Sequence, residues 1–377
     1  MLSPGAIHRM RARRQRRTRR YVIVHVFVTI PLDGGDRTLP QMVRGFVTDL
    51  FGPAQPAWPG DFYFVRTWDQ TTGRDCLQIS LGSDTATAGE ARDRVQRAAD
   101  RHGLRPAMAE VPFEEIPSPL WNSGIGGDGF DAAAKRLYRA VAPVLARSVS
   151  ETGGDTAKAY LLALRLMVAN SGATLLESEQ RRISSRDFGE LLSLRMLSYR
   201  SHYEGAKTAQ AKDPEAFERR CAAYYEKFGS AAREFIGDCA SDPLPAADDQ
   251  PARAWVDVVR QHFGTLRDEC RAGLIAHDGP TLDDLHQTPD AALSRSSFHS
   301  KELSHEMSDL LHRNPDFLAY RIQTSLLYSC LYTMGFNLAE RFLFCYLLAR
   351  ANEELAGKST EELAEGLDAV AKELANQ

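Results

Sequence analysis

The chain has 377 residues, 46 Lys and Arg against 50 Asp and Glu, 43% hydrophobic residues and a formal net charge of -4. That is the composition of a folded globule, longer than one compact core usually reaches, so two core units are expected. Eight of the basic residues are arginines between Arg9 and Arg20, and residues 21–377 hold 38 basic against 50 acidic groups, a body too acidic to bind nucleic acid by charge.

Residues 1–20 read as a flexible basic arm. They lack the apolar core and small-residue cleavage site of a secretory signal. An arm of this kind docks acidic, extended peptide through charge. RNA is the weaker partner for it, because no aromatic residue lies among the arginines.

YVIVHVFVTI (21–30) is β-branched and predicts a strand, closed by a PLDGGD turn. Residues 39–51 place Met42, Phe46 and Leu50 at helical spacing. Residues 59–68 and 76–81 predict two strands about a TTGRD turn. Residues 87–103 predict a helix, with Thr87 as its N-cap and Gly103 closing it, and 106–113 predict a fourth strand. The order β-α-β-β-α-β is that of a ferredoxin-like sheet domain over 21–118. The expected class is therefore α+β, with a helical domain following at 119–377.

From Pro119 onward the apolar period is three to four residues and predicts helices, with no further strand. They cover 130–149, 157–169, 187–206, 214–236, 252–274, 298–313, 316–335 and 336–355. The last two are apolar on nearly all faces and belong at the centre of a bundle. A C-terminal amphipathic helix should be exposed, and 239–251 and 278–296 read as loops. No apolar run reaches the roughly 18 residues of a membrane span. Six cysteines (76, 221, 239, 270, 330, 345) share no metal or disulfide spacing, which predicts buried thiols in a reducing cytoplasm.

GIGGDG (124–129) spells a dinucleotide fingerprint, but Pro117, Pro119 and Asn122 precede it where that motif needs a strand. It reads as a turn capped by Asp128. His299, Glu302, His305, Glu306, Asp309 and His312 crowd one stretch, yet hold one E-x-x-H unit where a di-iron bundle needs two. A solvated helix face is the expectation, with no metal and no other cofactor. Tyr320, Tyr328, Tyr332 and Tyr346 lie in the last helices. Tyr328 and Tyr332 are one turn apart, near Ser325 and Ser329, and so many hydroxyls on a central helix suggest a polar pocket.

DFYFVRTWDQTTGRDCLQISL (61–81) resembles the aromatic F-F-x-R-Y strand and following h-x-R-x-R strand of the glutamate-elimination domain of lantibiotic dehydratases, with Arg66 on the first Arg. FEEIPSPLWNSGIGG (113–127) resembles that family's P-E-x-x-R-Y-G-G stretch. YTMGFNLAERFLF (332–344) resembles its H-M-x-x-N-R-L segment, with Met334 and Asn337 in register. The departures fall on the catalytic positions. Gln78 and Ser80 stand for the two arginines of the second strand, Gly124 for the Arg of R-Y-G-G, and Thr333 for the His. Elimination needs a base and cations for the leaving carboxylate, so their absence argues against it.

A stand-alone chain with the elimination pattern but not its catalytic residues resembles the thiopeptide pyridine synthases. The resemblance implies a formal [4+2] aza-cycloaddition of two dehydroalanines in a modified precursor peptide. Water and an acidic leader peptide are then lost, leaving a pyridine in a macrocycle. No cofactor, nucleic acid or membrane is implied. It points to Tyr332, Ser300, His299 and Glu115 as catalytic groups, and to Arg66, Tyr328 and Trp121 as substrate contacts. Arg16, Arg17, Arg19 and Arg20 of the arm would hold the leader. A glutamate eliminase and a non-catalytic peptide-binding scaffold are the alternatives.

Overall fold

The computed structural model describes residues 23–32, 41–58, 60–68, 74–84, 87–118, 124–210, 213–277, 298 and 304–376. Four strands, β1 (Ile23–Pro31), β2 (Phe62–Trp68), β3 (Asp75–Asp84) and β4 (Ala107–Val111), form one sheet in the order β2-β3-β1-β4. Every neighbouring pair is antiparallel. Alternation sorts the side chains between two faces. Val26, Val28, Ile30, Leu77, Ile79 and Leu81 are all at most 1% exposed and share one face. Helices α1 (Gln41–Phe51) and α2 (Ala88–Arg101) pack there, and Phe51 stacks on Phe62 at 4.4 Å and on Phe64 at 5.6 Å. The opposite face carries His25, Tyr63 and Ser80, all buried, and the half-buried Phe27, Thr29 and Gln78.

Thr87 precedes α2 but has helical dihedrals, and its side chain does not cap the helix. Its hydroxyl meets Ser83 Oγ at 2.7 Å instead. Gly103 closes the helix at φ +67°, as the sequence predicts.

The helices that follow are α3 (Phe130–Thr152), α4 (Thr156–Leu176), α5 (Glu179–Ile183), α6 (Phe188–Arg195), α7 (Leu197–Gln210), α8 (Pro214–Ser241) and α9 (Gln250–Arg271). They continue with α10 (His305–His312), α11 (Pro315–Thr333), α12 (Leu338–Ala356) and α13 (Thr360–Ala375). Caps mark their starts: Asp155 accepts from two N–H groups of α4, and Asn314 caps α11. Asn337–Glu340 and Ser359–Glu362 form capping boxes on α12 and α13. The single helix predicted over 187–206 is broken at Met196 into α6 and α7. α8 runs to Ser241, into the segment read as loop.

Two short strands, β5 (Ile125–Gly126) and β6 (Ala276–His277), pair antiparallel, a correction to the strand-free reading after Pro119. They explain the glycine run. Gly129 N–H donates to Leu274 O at 2.9 Å, and a Cβ on Gly127 would lie 2.5 Å from the same oxygen. The glycines let this turn approach the end of α9, and Gly129, not Asp128, is the N-cap of α3.

α4 alone among the described residues is long and apolar enough to cross a membrane, a length the sequence reading had not assigned to any segment. Its apolar window is 78% buried inside the protein, as for a core helix. The buried apolar residues form one continuous cluster from the sheet through the helices. All six cysteines are buried, free thiols.

Candidate active site

β2 is an edge strand, so the N–H groups on its outer side lack a strand partner. The end of α11 supplies one. Arg66 N–H donates to Thr333 Oγ1 at 3.0 Å, and that hydroxyl donates to Ser329 O at 2.9 Å. Thr333 therefore ties the helix to the sheet.

The Arg66 side chain is 4% exposed. Its Nε donates to both carboxylate oxygens of Asp75, at 2.9 and 3.2 Å, and a terminal nitrogen adds a third bond. Its guanidinium lies 4.5 Å over the Tyr332 ring. Burial pushes the half-buried Tyr332 hydroxyl up to about 12; Arg66 opposes the shift and Asp75 adds to it, and the hydroxyl reaches both. Tyr332 thus keeps its proton at neutral pH and acts as a hydrogen-bond donor. Arg66 Nη1 is buried without a hydrogen-bond partner.

α11 shows a part-exposed stripe of Arg321, Ser325, Ser329 and Tyr332, while most of the helix is buried. One flank is built by α7 and α12. There the buried Tyr328 hydroxyl meets His202 Nδ1 at 2.8 Å and Cys345 Sγ at 3.5 Å, and Arg341 lies 4.7 Å over its ring. Burial holds the Tyr328 hydroxyl well above its ordinary value.

The other flank is the sheet and α3. The Tyr138 hydroxyl lies beside Ser329, and the Tyr63 hydroxyl beside Ser80. Both are buried without a hydrogen bond, and burial raises both. Ser80 in turn meets His25 Nδ1 at 2.9 Å. His25 is held below 6.5 by burial and then by Arg139, so it is neutral at neutral pH.

The structure thus brings Tyr332 against Arg66 at the end of the part-exposed stripe of α11, with Tyr328 buried one turn earlier. Glu115 is exposed on a 3-10 turn (Phe113–Glu115) after β4, with its backbone N–H donating to Pro112. Trp121, His299, Ser300, Arg16, Arg17, Arg19 and Arg20 lie outside the described residues. So do Glu302 and the 278–296 loop. Among the described residues no three His, Cys, Asp or Glu side chains gather as a metal site. His305 is instead 80% exposed beside Asp309, and His312 bonds Ser308 O.

Sequence reasoning missed Asp75, His202, Arg341, His25 and Tyr63. Asp75 falls in the TTGRD turn of the sequence reading; its signal was an acid opening β3 opposite Trp68, two residues from Arg66 along β2. No local pattern marks His202, since its partner is 126 residues away.

No family model matches the chain, and no curated protein matches it. Seven solved chains match. One is the crystal structure of TsrL, 18% identical, with a TM-score of 0.62 over 93% of this chain and 98% of that chain. The likeness is one of fold: a small antiparallel sheet near the N-terminus followed by helices, along nearly the whole of both chains.

Proposed function

We propose that this protein is a pyridine synthase. It joins two dehydroalanines of a ribosomal precursor peptide by a formal [4+2] aza-cycloaddition on a ferredoxin-like sheet fused to a helical domain. Loss of water and leader peptide completes the ring. The fold it shares with TsrL, a protein of a thiopeptide pathway, supports this context. The observation that carries the reading is the Tyr332–Arg66–Asp75 cluster at the end of the part-exposed, hydroxyl-bearing stripe of α11.

The chemistry asks for two alkenes held together and an amide shifted to its iminol form. Holding the partners in a reactive pose contributes up to about 7–11 kcal/mol in well-oriented systems. Tyr332, protonated and fixed under Arg66, donates to the reacting amide carbonyl and stabilises charge there. Ser325 and Ser329 line the floor. Trp121 is proposed to wall the site, His299, Ser300 and Glu115 to carry protons, and Arg16, Arg17, Arg19 and Arg20 to hold the acidic leader.

Elimination of glutamate fits less well. Thr333 Oγ1 is committed to the β2 edge, and Ser80 to His25. Neither is a cation or a strong base.

Incubation with a linear azole peptide bearing two dehydroalanines tests the reading. Leader release and a pyridine-absorbing cyclic product, followed by mass spectrometry, are expected. Glutamate loss from a glutamylated peptide would instead identify an eliminase, and binding without mass change a scaffold.

A further inference from the structure

We propose that His202 is the proton-transferring group beside this stripe of α11, with Tyr328 as its positioning residue; the proposal rests on the stripe being the ring-closing site. His202 lies on α7 and is exposed, so substrate reaches it without rearrangement of the core. Tyr328 lies one turn before Tyr332 on α11, on the same side of the helix. The two rings meet edge to face at 5.3 Å, with the hydroxyl 2.8 Å from Nδ1.

The direction of the hydroxyl's one hydrogen sets the tautomer. Tyr328 has one hydrogen and two contacts, His202 Nδ1 and Cys345 Sγ. With that hydrogen on Cys345 Sγ, the tyrosine oxygen accepts from His202 Nδ1–H, which puts the imidazole lone pair on Nε2. Arg341 over the tyrosine ring holds it in place. The titratable and charged groups that act on Tyr328 are Arg341 and Cys345 from α12 and Tyr199 from α7.

The step that needs this group is the loss of water from the newly closed ring. His202 Nε2 takes a proton from a ring carbon, and the C–H electron pair forms the new ring double bond. The C–O bond breaks, and the proton passes to the departing hydroxide as water. His202 ends as it began.

The test compares full-length wild type, His202→Ala and Tyr328→Phe on the same dehydroalanine peptide across pH. General acid–base groups contribute about 100-fold or more, so His202→Ala should lose at least that in pyridine formation with peptide affinity unchanged. A cyclic species one water heavier than the product should accumulate, and added imidazole should restore turnover. Tyr328→Phe should lose about 10-fold and shift the pH profile, with the double variant no slower than His202→Ala. Wild-type turnover in His202→Ala, or a loss that imidazole does not restore, overturns the assignment. If His202→Ala does not fold, as judged by circular dichroism, an unchanged pH profile in Tyr328→Phe overturns it. If wild type itself leaves the peptide unchanged, the ring-closing reading fails rather than this one.

Discussion

Arg66 and Asp75 form an ion pair whose side chains are 4% and 16% exposed. Removing one partner of such a pair leaves a charge buried without compensation, which costs about 3–5 kcal/mol. Asp75→Ala should therefore lose that much stability in urea unfolding. Arg66→Met combined with Asp75→Leu should lose far less, because both charges leave together. His25 gives a pH dependence. Its folded value is below 6.5, so below that pH the unfolded chain binds more protons than the folded one. The stability it contributes is present above 6.5 and is lost as pH falls through the lowered value. His25→Asn should flatten unfolding free energy against pH in that window, with Asn keeping an acceptor for Ser80. His262, also lowered by burial, contributes in the same direction and should leave a residual slope. Little of this was legible in the sequence. Tyr332 and Arg66 stood out through hydroxyl density and a motif, but the partners that define their chemistry come from other elements, as with Asp75 on β3 and His202 on α7.

Periodicity located most of the elements well, because the apolar stripes that mark them are also the surfaces they bury. Val26, Val28 and Ile30 are an example on β1, and Leu363, Leu367 and Val370 on α13 another. It failed where the determinant is not periodic. The break at Met196 interrupts no apolar pattern, and the residues on both sides are buried. The two-residue strands β5 and β6 are too short to carry an alternation. Their glycines were the available signal, and they are needed for close approach rather than for a cofactor. Gly127→Ala tests that. At φ +109°, with the new Cβ 2.5 Å from Leu274 O, the substitution should cost about 1–3 kcal/mol in thermal or urea unfolding. An unchanged midpoint would show that the 124–129 turn moves freely against α9.

At the scale of the molecule, the expected two core units are joined by one continuous apolar cluster. The Tyr332–Arg66 cluster lies where sheet and helices meet, because α11 is at once a core helix of the bundle and the partner of the β2 edge. Composition foretold the uneven charge, with eight arginines in the first twenty residues and an acidic remainder. The proposed docking role of that arm has its own test. Deleting residues 1–19 should weaken binding of an acidic leader at low salt, and the affinity of the intact protein should fall steeply as salt rises. Equal affinities at every salt concentration would remove the arm from recognition.

The central claim is that the part-exposed face of α11 closes the ring and that Tyr332 acts on the reacting amide. The most direct measurement is the single-turnover rate of Tyr332→Phe against wild type on a peptide bearing two dehydroalanines, with peptide affinity measured in parallel. The phenylalanine ring still lies under Arg66, so the account predicts unchanged affinity and a rate lower by about 100-fold, the usual effect of one preorganised donor. A variant that forms the pyridine at the wild-type rate would contradict it.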